Sequence, residues 1–125
     1  MIALCLSAGA LSATLSIQAF TLAWMHSVEK VRWEEDWKIE GKTLRLVEAR
    51  IKGMGAGMEP PEGAVFREGS WHFTPSLAPM KSLNLSHSPY TKGYEFCIKD
   101  KCQQLTDFLP HIEETAVIVI EACER

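Results

Sequence analysis

Alternating apolar and polar residues run through most of the chain at the two-residue period of β-strands. The pattern predicts strands over residues 20–28, 31–40, 43–52, 81–87, 94–98, 102–105 and 115–122. Two shorter candidates cover residues 64–66 and 71–73. Gly41 separates the second strand from the third and predicts a tight hairpin there. Seven or eight short strands without a convincing helix predict an all-β fold, a small antiparallel sandwich or a partial barrel.

The N-terminal segment differs from the rest because residues 1–28 contain no Asp, Glu, Lys or Arg. Residues 2–15 are apolar or small, and Ala19 offers a small residue for cleavage. We expect residues 1–19 to be a secretory signal peptide and residues 20–125 to be a single all-β domain. An uncleaved anchor and a buried first helix are the alternatives, and the polar residues in the segment disfavour the anchor. Export predicts a periplasmic or secreted protein, which meets the membrane only if the leader is uncleaved.

Three of the four cysteines lie in the predicted mature domain. Cys97 and Cys102 flank a predicted tight hairpin, so a disulfide between them would join its two arms. Cys123 is an alternative partner for either cysteine, and the sequence leaves the three pairings open. Export would supply the oxidising compartment that such a bond needs. A metal site is disfavoured because no histidine is adjacent to these cysteines.

Composition narrows the classes of function. The 125 residues carry a net charge of −3 and are 46% apolar, which is typical of a globular domain without a basic surface for nucleic acid. Gly53, Gly55 and Gly57 are followed neither by a Lys-Ser/Thr pair nor by a predicted helix, so they do not form a nucleotide-binding motif. We therefore predict no cofactor.

One predicted hairpin combines acidic and apolar residues on the same face. Glu35 lies in the apolar register of its strand, between Trp33 and Trp37. In a regular hairpin, Glu48 and Arg50 of the next strand share this face. A carboxylate among tryptophans requires a partner, a shifted pKa or a function. The structural interpretation is an internal Glu–Arg–Glu ion network, and the functional one is a pocket for a polar ligand. The opposite face is predicted to be solvated near the turn, where it carries Arg32, Glu34, Asp36, Lys38, Glu40 and Arg45.

Catalysis and metal binding are further alternatives for the same residues. A metal site would use His26 with Glu35 and Glu48, whereas catalysis would use the two acids alone. His26 and Ser27 are adjacent on a predicted strand and point to opposite faces, so His26 is not placed to activate Ser27 as a nucleophile. No catalytic residue is assigned, and His72, which lies near a loop, is given no role.

The motifs together resemble a known family. They are His26-Ser27-Val28, Glu35, the run Leu46-Val47-Glu48-Ala49-Arg50 and the turn Gly55-Ala56-Gly57-Met58. Their spacing is similar to that of the bacterial family called domain of unknown function 1850. The resemblance implies a small periplasmic or secreted protein with no known reaction, often encoded beside tripartite (TRAP) transporters of the TAXI type. It also marks His26, Ser27, Glu35, Glu48 and the Gly55-Ala56-Gly57 turn as positions of interest.

We therefore expect an exported, non-enzymatic accessory protein that binds a small polar solute or a transporter component. If the glycine turn caps the face of the two acids, its backbone N–H groups would offset their charge or hold an anionic solute. The candidate ligand-binding residues are His26, Ser27, Glu35, Glu48, Arg50, Gly55, Ala56 and Gly57. A metal-dependent or carboxylate-based hydrolase and a structural interaction module are the alternatives.

Overall fold

A computed structural model describes residues 1–25, 31–53, 61–90 and 92–125. These residues form eleven strands in two antiparallel sheets. The strands are β1 (Ile2–Ala8), β2 (Leu11–Leu15), β3 (Ala19–Met25), β4 (Arg32–Glu40), β5 (Thr43–Lys52), β6 (Val65–Arg67), β7 (Ser70–Phe73), β8 (Ser82–His87), β9 (Glu95–Ile98), β10 (Lys101–Gln104) and β11 (Ala116–Glu124). A 3₁₀ helix, Leu105–Phe108, follows β10. No helix within the described ranges has the length and apolar character needed to cross a membrane.

The two sheets enclose one apolar core. The small sheet has the strand order β2-β1-β11-β8, and the large sheet has the order β10-β9-β3-β4-β5-β7-β6. Leu4 and Ile120 of the small sheet belong to the same buried cluster as Leu22 and Phe96 of the large sheet. Neither sheet closes on itself, so the predicted all-β sandwich is confirmed and a barrel is not formed.

Two hairpin turns follow from backbone conformations that the sequence supplies. Gly41, between β4 and β5, has a φ of 64°, a left-handed conformation that glycine adopts without steric cost. Lys99 and Asp100, between β9 and β10, have φ values of 49° and 69°. Two consecutive residues of positive φ make a turn whose twist matches that of the paired strands. The hairpins therefore fix which residues of each strand pair are opposite.

Residues 1–19, predicted to be a leader, contribute two strands to the small sheet in the folded chain. β1 pairs with β2 on one side and with β11 on the other. Leu4 is fully buried, and Cys5 is bonded to Cys123 of β11. A charge-free apolar segment suits a buried strand as well as an export signal, so the sequence did not distinguish the two. The buried first helix is wrong because the segment is extended, and cleavage after Ala19 stays a prediction.

All four cysteines are joined in disulfides. Cys97 and Cys102 are directly opposite in the pairing of β9 with β10, with Cα atoms 4.0 Å apart. This confirms the first of the predicted pairings. Cys123 bonds to Cys5 and not to a hairpin cysteine. Cys5 was not considered as a partner because it lies in the predicted leader.

Candidate functional site

A β-bulge in β5 decides which polar side chains meet on the large sheet. Asp36 is opposite Glu48, whereas the next residue, Trp37, is opposite Leu46. Val47 is therefore an extra residue on β5. Because side chains alternate along a strand, one extra residue reverses the orientation of all that follow. The buried positions of β5 accordingly change from even to odd numbers, namely Leu44 and Leu46, then Ala49 and Ile51.

The bulge corrects the prediction that Glu35 and Glu48 share an apolar face. Glu35 is opposite Leu22 and Ala49, which are both buried, so its side chain lies on the core side of the sheet. Its carboxylate accepts a hydrogen bond from Nε1 of Trp37 at 3.1 Å. Glu48 lies on the outer face instead. The change from even to odd apolar positions after Leu46 was the sequence signal that could have located the bulge.

Arg50 is the centre of an ion network on this outer face. Its two terminal nitrogens donate to both carboxylate oxygens of Asp36, at 2.6 and 2.9 Å. Its Nε donates to Glu34 at 2.9 Å, and one terminal nitrogen also donates to Glu48 at 3.1 Å. The hydroxyl of Thr21 donates to Asp36 at 2.6 Å. The predicted ion network thus exists around Arg50 and Glu48. Glu34 and Asp36 take the place of Glu35, which was expected in the network but lies on the core side.

The network extends across the sheet in both directions. Arg32 donates to Glu34 at 2.8 Å and to Glu95 of β9. On the other side, Nδ1 of His72 is 2.8 Å from a carboxylate oxygen of Glu48. The outer face was predicted to be solvated, yet the side chains of Arg32 and Glu34 are only 23% and 27% exposed. His72 was given no role from the sequence. It joins the network because β7 pairs with β5, which brings His72 opposite Arg50.

The arginines hold the acids of the network in the charged form. Burial raises the pKa of Asp36, but hydrogen bonds from Arg50 and Thr21 outweigh burial and leave the pKa below its ordinary value. Burial also raises the pKa of Glu34 and of Glu48, but hydrogen bonds from Arg32 and Arg50 lower that of Glu34, and hydrogen bonds from His72 and Arg50 lower that of Glu48, below the ordinary value. The hydrogen bond to Asp36 is the largest cause of a raised pKa at Arg50. All four groups therefore stay ionised through the neutral pH range.

Glu35 is in the opposite electrostatic situation. Burial raises its pKa, and the hydrogen bond from Trp37 offsets only part of this effect. Burial also raises the pKa of Tyr94, and the charge of Glu35 adds to that shift. Beside them, the ring of Trp24 lies 6.2 Å from that of Trp33 and 5.8 Å from that of Tyr94. Glu35 is thus a half-buried acid at the edge of an aromatic cluster.

An open groove of about 1080 Å³ lies on the outer face of the large sheet. Thr21, Asp36 and Arg50 line it from three adjacent strands, and His72 lines it from β7. Lys99, in the turn between β9 and β10, contributes another part of the wall. The ion network therefore forms part of a concave surface that is large enough for a small molecule or a short peptide segment.

The groove contains only part of the predicted ligand-binding set. Arg50 lines it, and Glu48 supports Arg50 from the side, whereas Glu35 faces the core. His26, Ser27, Gly55, Ala56 and Gly57 lie outside the described residues.

The bulge argues against the predicted metal site of His26, Glu35 and Glu48. The sheet separates the two acids, so they cannot bind the same ion. Within residues 1–25, 31–53, 61–90 and 92–125, no group of three or more His, Cys, Asp or Glu side chains is arranged to hold a metal ion.

Comparison with known proteins adds a family and nothing more specific. A family model described as Domain of unknown function (DUF1850) matches residues 20–105. That range contains β4 to β10 and nearly all of β3, so it includes almost the whole large sheet and most of the residues that line its groove. No curated protein and no solved structure was found to match. The family named from the sequence motifs is confirmed, and the chain belongs to the DUF1850 family.

Proposed function

We propose that this protein is an exported binding protein that holds a polar solute, or a polar segment of a transporter component, in the groove of its large sheet. The observation that carries the proposal is the groove itself, with a volume of about 1080 Å³ and a charged network in its lining. Small-molecule sites of proteins are typically concave and have volumes of roughly 300–1,000 Å³. The groove is slightly larger than the upper limit of this range.

Hydrogen bonds connect the charged side chains of the lining without any ligand. Asp36 accepts hydrogen bonds from Arg50 and Thr21, and Arg50 is held in addition by Glu34 and Glu48. Side chains that are already fixed lose little conformational entropy on binding, which favours affinity. The network therefore serves as a preorganised base for a ligand rather than as a flexible surface.

The charges around the groove indicate the kind of ligand. Lys38 and Lys99 supply positive charge, and Glu68 and Asp100 supply negative charge. Because both signs are present, the groove suits a zwitterionic or strongly hydrogen-bonding molecule better than a highly charged one. A polar peptide segment meets the same requirement.

Binding is favoured over acid–base catalysis by the protonation states of the network. A general acid or base works best when its pKa is close to the working pH. The pKa values of Glu34, Asp36 and Glu48 are lowered, and that of Arg50 is raised, so these groups do not exchange protons near neutrality. The hydrolase alternative also required Glu35 and Glu48 as a pair, and they lie on opposite faces of the sheet.

Two observations support an oxidising location. The chain holds two disulfides, bonds that persist in the periplasm and outside the cell but are rare in the cytosol. The resemblance to the family implies a periplasmic or secreted protein that is associated with TRAP transporters. We infer a periplasmic protein that acts beside such a transporter.

Two charge-reversal variants test the proposal. The first, Lys38→Glu with Lys99→Glu, changes the groove but not the Arg50 network. The matched control, Lys42→Glu with Lys81→Glu, makes the same change in charge at exposed positions outside the groove. Each protein is purified from the envelope of its own host, and native mass spectrometry identifies bound small molecules and proteins. We expect the wild type and the control to retain a ligand that the groove variant loses.

Other outcomes contradict the proposal. If the groove variant retains the same ligand as the control, the ligand binds elsewhere. If the wild type carries no small molecule and no protein, the groove holds no ligand and the proposal is wrong.

A further inference from the structure

The two disulfides of this chain lie in different structural settings. Cys5–Cys123 joins β1 to β11 inside the small sheet and spans 118 residues of sequence. Cys97–Cys102 spans only 5 residues and joins β9 to β10. β10 is an edge strand of the large sheet, and all four of its residues are exposed. One bond therefore connects distant parts of the fold, whereas the other connects neighbours at an exposed edge.

The Cys97–Cys102 disulfide belongs to the groove face. One row of directly opposite residues crosses the large sheet, and its members are Glu48, Asp36, Thr21, Cys97 and Cys102. Residues that are directly opposite in antiparallel strands share a face. Cys97 accordingly lines the groove, although it is only 6% exposed, while Cys102 is exposed. A partner at the β10 edge therefore approaches this bond from the side of Cys102.

We propose that Cys97–Cys102 is a thiol–disulfide exchange site that accepts electrons from a dithiol of a protein partner. A thiolate of the partner attacks Sγ of Cys102, the more exposed of the two cysteines. The S–S bond breaks, its electron pair leaves on Sγ of Cys97, and that thiolate then takes up a proton. The second thiol of the partner loses its proton and attacks the partner's own sulfur in the mixed disulfide. Cys102 leaves as a thiolate and is protonated, so the partner ends as a disulfide and this chain as a dithiol.

The surroundings of the bond favour exchange. Lys99 lies in the turn between the two cysteines and lines the groove, and a nearby positive charge stabilises the departing thiolate. Asp100 acts in the opposite direction, but Lys101 follows it, so the turn keeps an excess of positive charge. Exposed disulfides are also the ones that partner thiols can attack.

Opening this bond leaves the local structure connected. β9 and β10 remain paired through their backbones, and the N–H of Leu105 donates to the carbonyl of Tyr94 at 2.9 Å just beyond the hairpin. A bond that closes a very short loop restricts the unfolded chain far less than one that closes a long loop. The dithiol form is therefore a folded protein, and it can be oxidised again. This inference goes beyond the proposed binding function and does not depend on it.

Selective reduction of the folded wild-type protein is the first test. The protein is incubated with increasing dithiothreitol, free thiols are alkylated with a maleimide, and peptide mass spectrometry locates the label. We expect label on Cys97 and Cys102 while Cys5–Cys123 stays closed and the circular dichroism spectrum is unchanged. The proposal is overturned if Cys5–Cys123 opens first, if both bonds open together, or if neither opens while the protein is folded.

The second test uses a defined protein dithiol, reduced thioredoxin. The wild type is expected to oxidise about one equivalent of thioredoxin, because each disulfide accepts the two electrons of one dithiol. The variant Cys97→Ser with Cys102→Ser retains Cys5–Cys123 and is expected to oxidise none. Equal thioredoxin oxidation by the two proteins, or none by the wild type, contradicts the proposal. Because neither test measures solute binding, failure here is distinct from failure of the binding function.

Discussion

Glu35 and Glu48 lie on opposite faces of the same sheet, although they belong to adjacent paired strands. Val47 causes this arrangement, because it is the extra residue that reverses the orientation of the β5 side chains after it. The reversal brings Arg50 to the outer face, where Asp36 and Glu34 bind it, and leaves Glu35 on the core side with Trp37. The bulge therefore places Glu48, whose pKa is lowered, on the face opposite that of Glu35, whose pKa is raised.

The Arg50 network is expected to stabilise the large sheet. Arg50→Met leaves Glu34, Asp36 and Glu48 without their shared cation, and unpaired half-buried charges are unfavourable. We expect the free energy of unfolding to fall by about 2–3 kcal/mol, less than for a fully buried network because the arginine side chain is 19% exposed. Urea unfolding measures the change.

A matched arginine provides the control for this measurement. Arg45 pairs with Glu40 near the β4–β5 turn, where the two side chains are 41% and 53% exposed. Arg45→Met should lower the free energy of unfolding by at most about 1 kcal/mol, since exposed ion pairs contribute little. Equal losses in Arg50→Met and Arg45→Met would show that the network has no special role in stability.

Glu35→Gln should be more stable than the wild type at neutral pH. The folded-state pKa of Glu35 lies above its ordinary value of 4.5, so the folded chain binds this proton more tightly than the unfolded chain does. Ionisation of Glu35 therefore lowers the free energy of unfolding progressively as pH rises from 4.5 through the folded-state pKa. Glutamine does not ionise, so the variant avoids this loss. Urea unfolding at several pH values should show the advantage of the variant shrinking as pH falls towards 4.5. A variant that is less stable at neutral pH would indicate a cation partner for Glu35.

Asp36→Asn should have the opposite dependence on pH. The pKa of Asp36 is lowered from 3.8, so its ionised form stabilises the fold at all pH values above 3.8. That stabilisation is lost as pH falls from 3.8 through the lower folded-state pKa. The variant should be clearly less stable than the wild type at neutral pH, and the two should converge in acid. Parallel pH profiles of the two proteins would contradict the assignment of Asp36 to the network.

The Cys5–Cys123 bond should contribute more to stability than Cys97–Cys102. A loop of 118 residues corresponds to about 5 kcal/mol of chain entropy in the unfolded state, compared with about 2 kcal/mol for a loop of 5 residues. Replacing Cys5 and Cys123 by serine should therefore lower the urea midpoint much more than replacing Cys97 and Cys102. Similar midpoints for the two double variants would show that β1 is not held to β11 in this way.

The place of β1 in the core and the predicted cleavage after Ala19 are competing expectations: if β1 is needed, removal of residues 1–19 prevents folding. The truncation removes β1 and β2, and β1 is the strand that pairs with β11 on one side. Ile118 and Ile120 of β11 then lose the apolar β1 residues of their buried cluster. A chain that starts at Phe20 is expected to show no cooperative unfolding transition. The intact mass of the protein from its own host decides whether cleavage after Ala19 occurs. A folded mature chain that begins at Phe20 would contradict the role of β1 in the core.

The sequence predicted most strands of the large sheet, because regular alternation reports a half-buried strand directly. The β5 boundaries, residues 43–52, were predicted without error, and the strand predicted over residues 115–122 is β11, Ala116–Glu124, inside the small sheet. The N-terminal strands were missed because the charge-free segment was interpreted as a leader, although residues 11–15 do alternate between apolar and polar. Strand pairing is a long-range property, so the contact between His72 and Glu48 was not predicted. The bulge at Val47 did have a local signal, the change from even to odd apolar positions in β5, and that signal was not used.

The extra residue in β5 also has an evolutionary consequence. A relative that is one residue shorter between the positions of Leu46 and Ala49 would have an uninterrupted ladder, and its counterpart of Arg50 would project into the apolar interior. Even with Glu35 on that side, burying the arginine would cost more in desolvation than the ion pair returns, so selection should remove such deletions even when every motif residue is retained. The length of this segment is thus a more informative marker of shared architecture within the family than the identity of the residue that bulges.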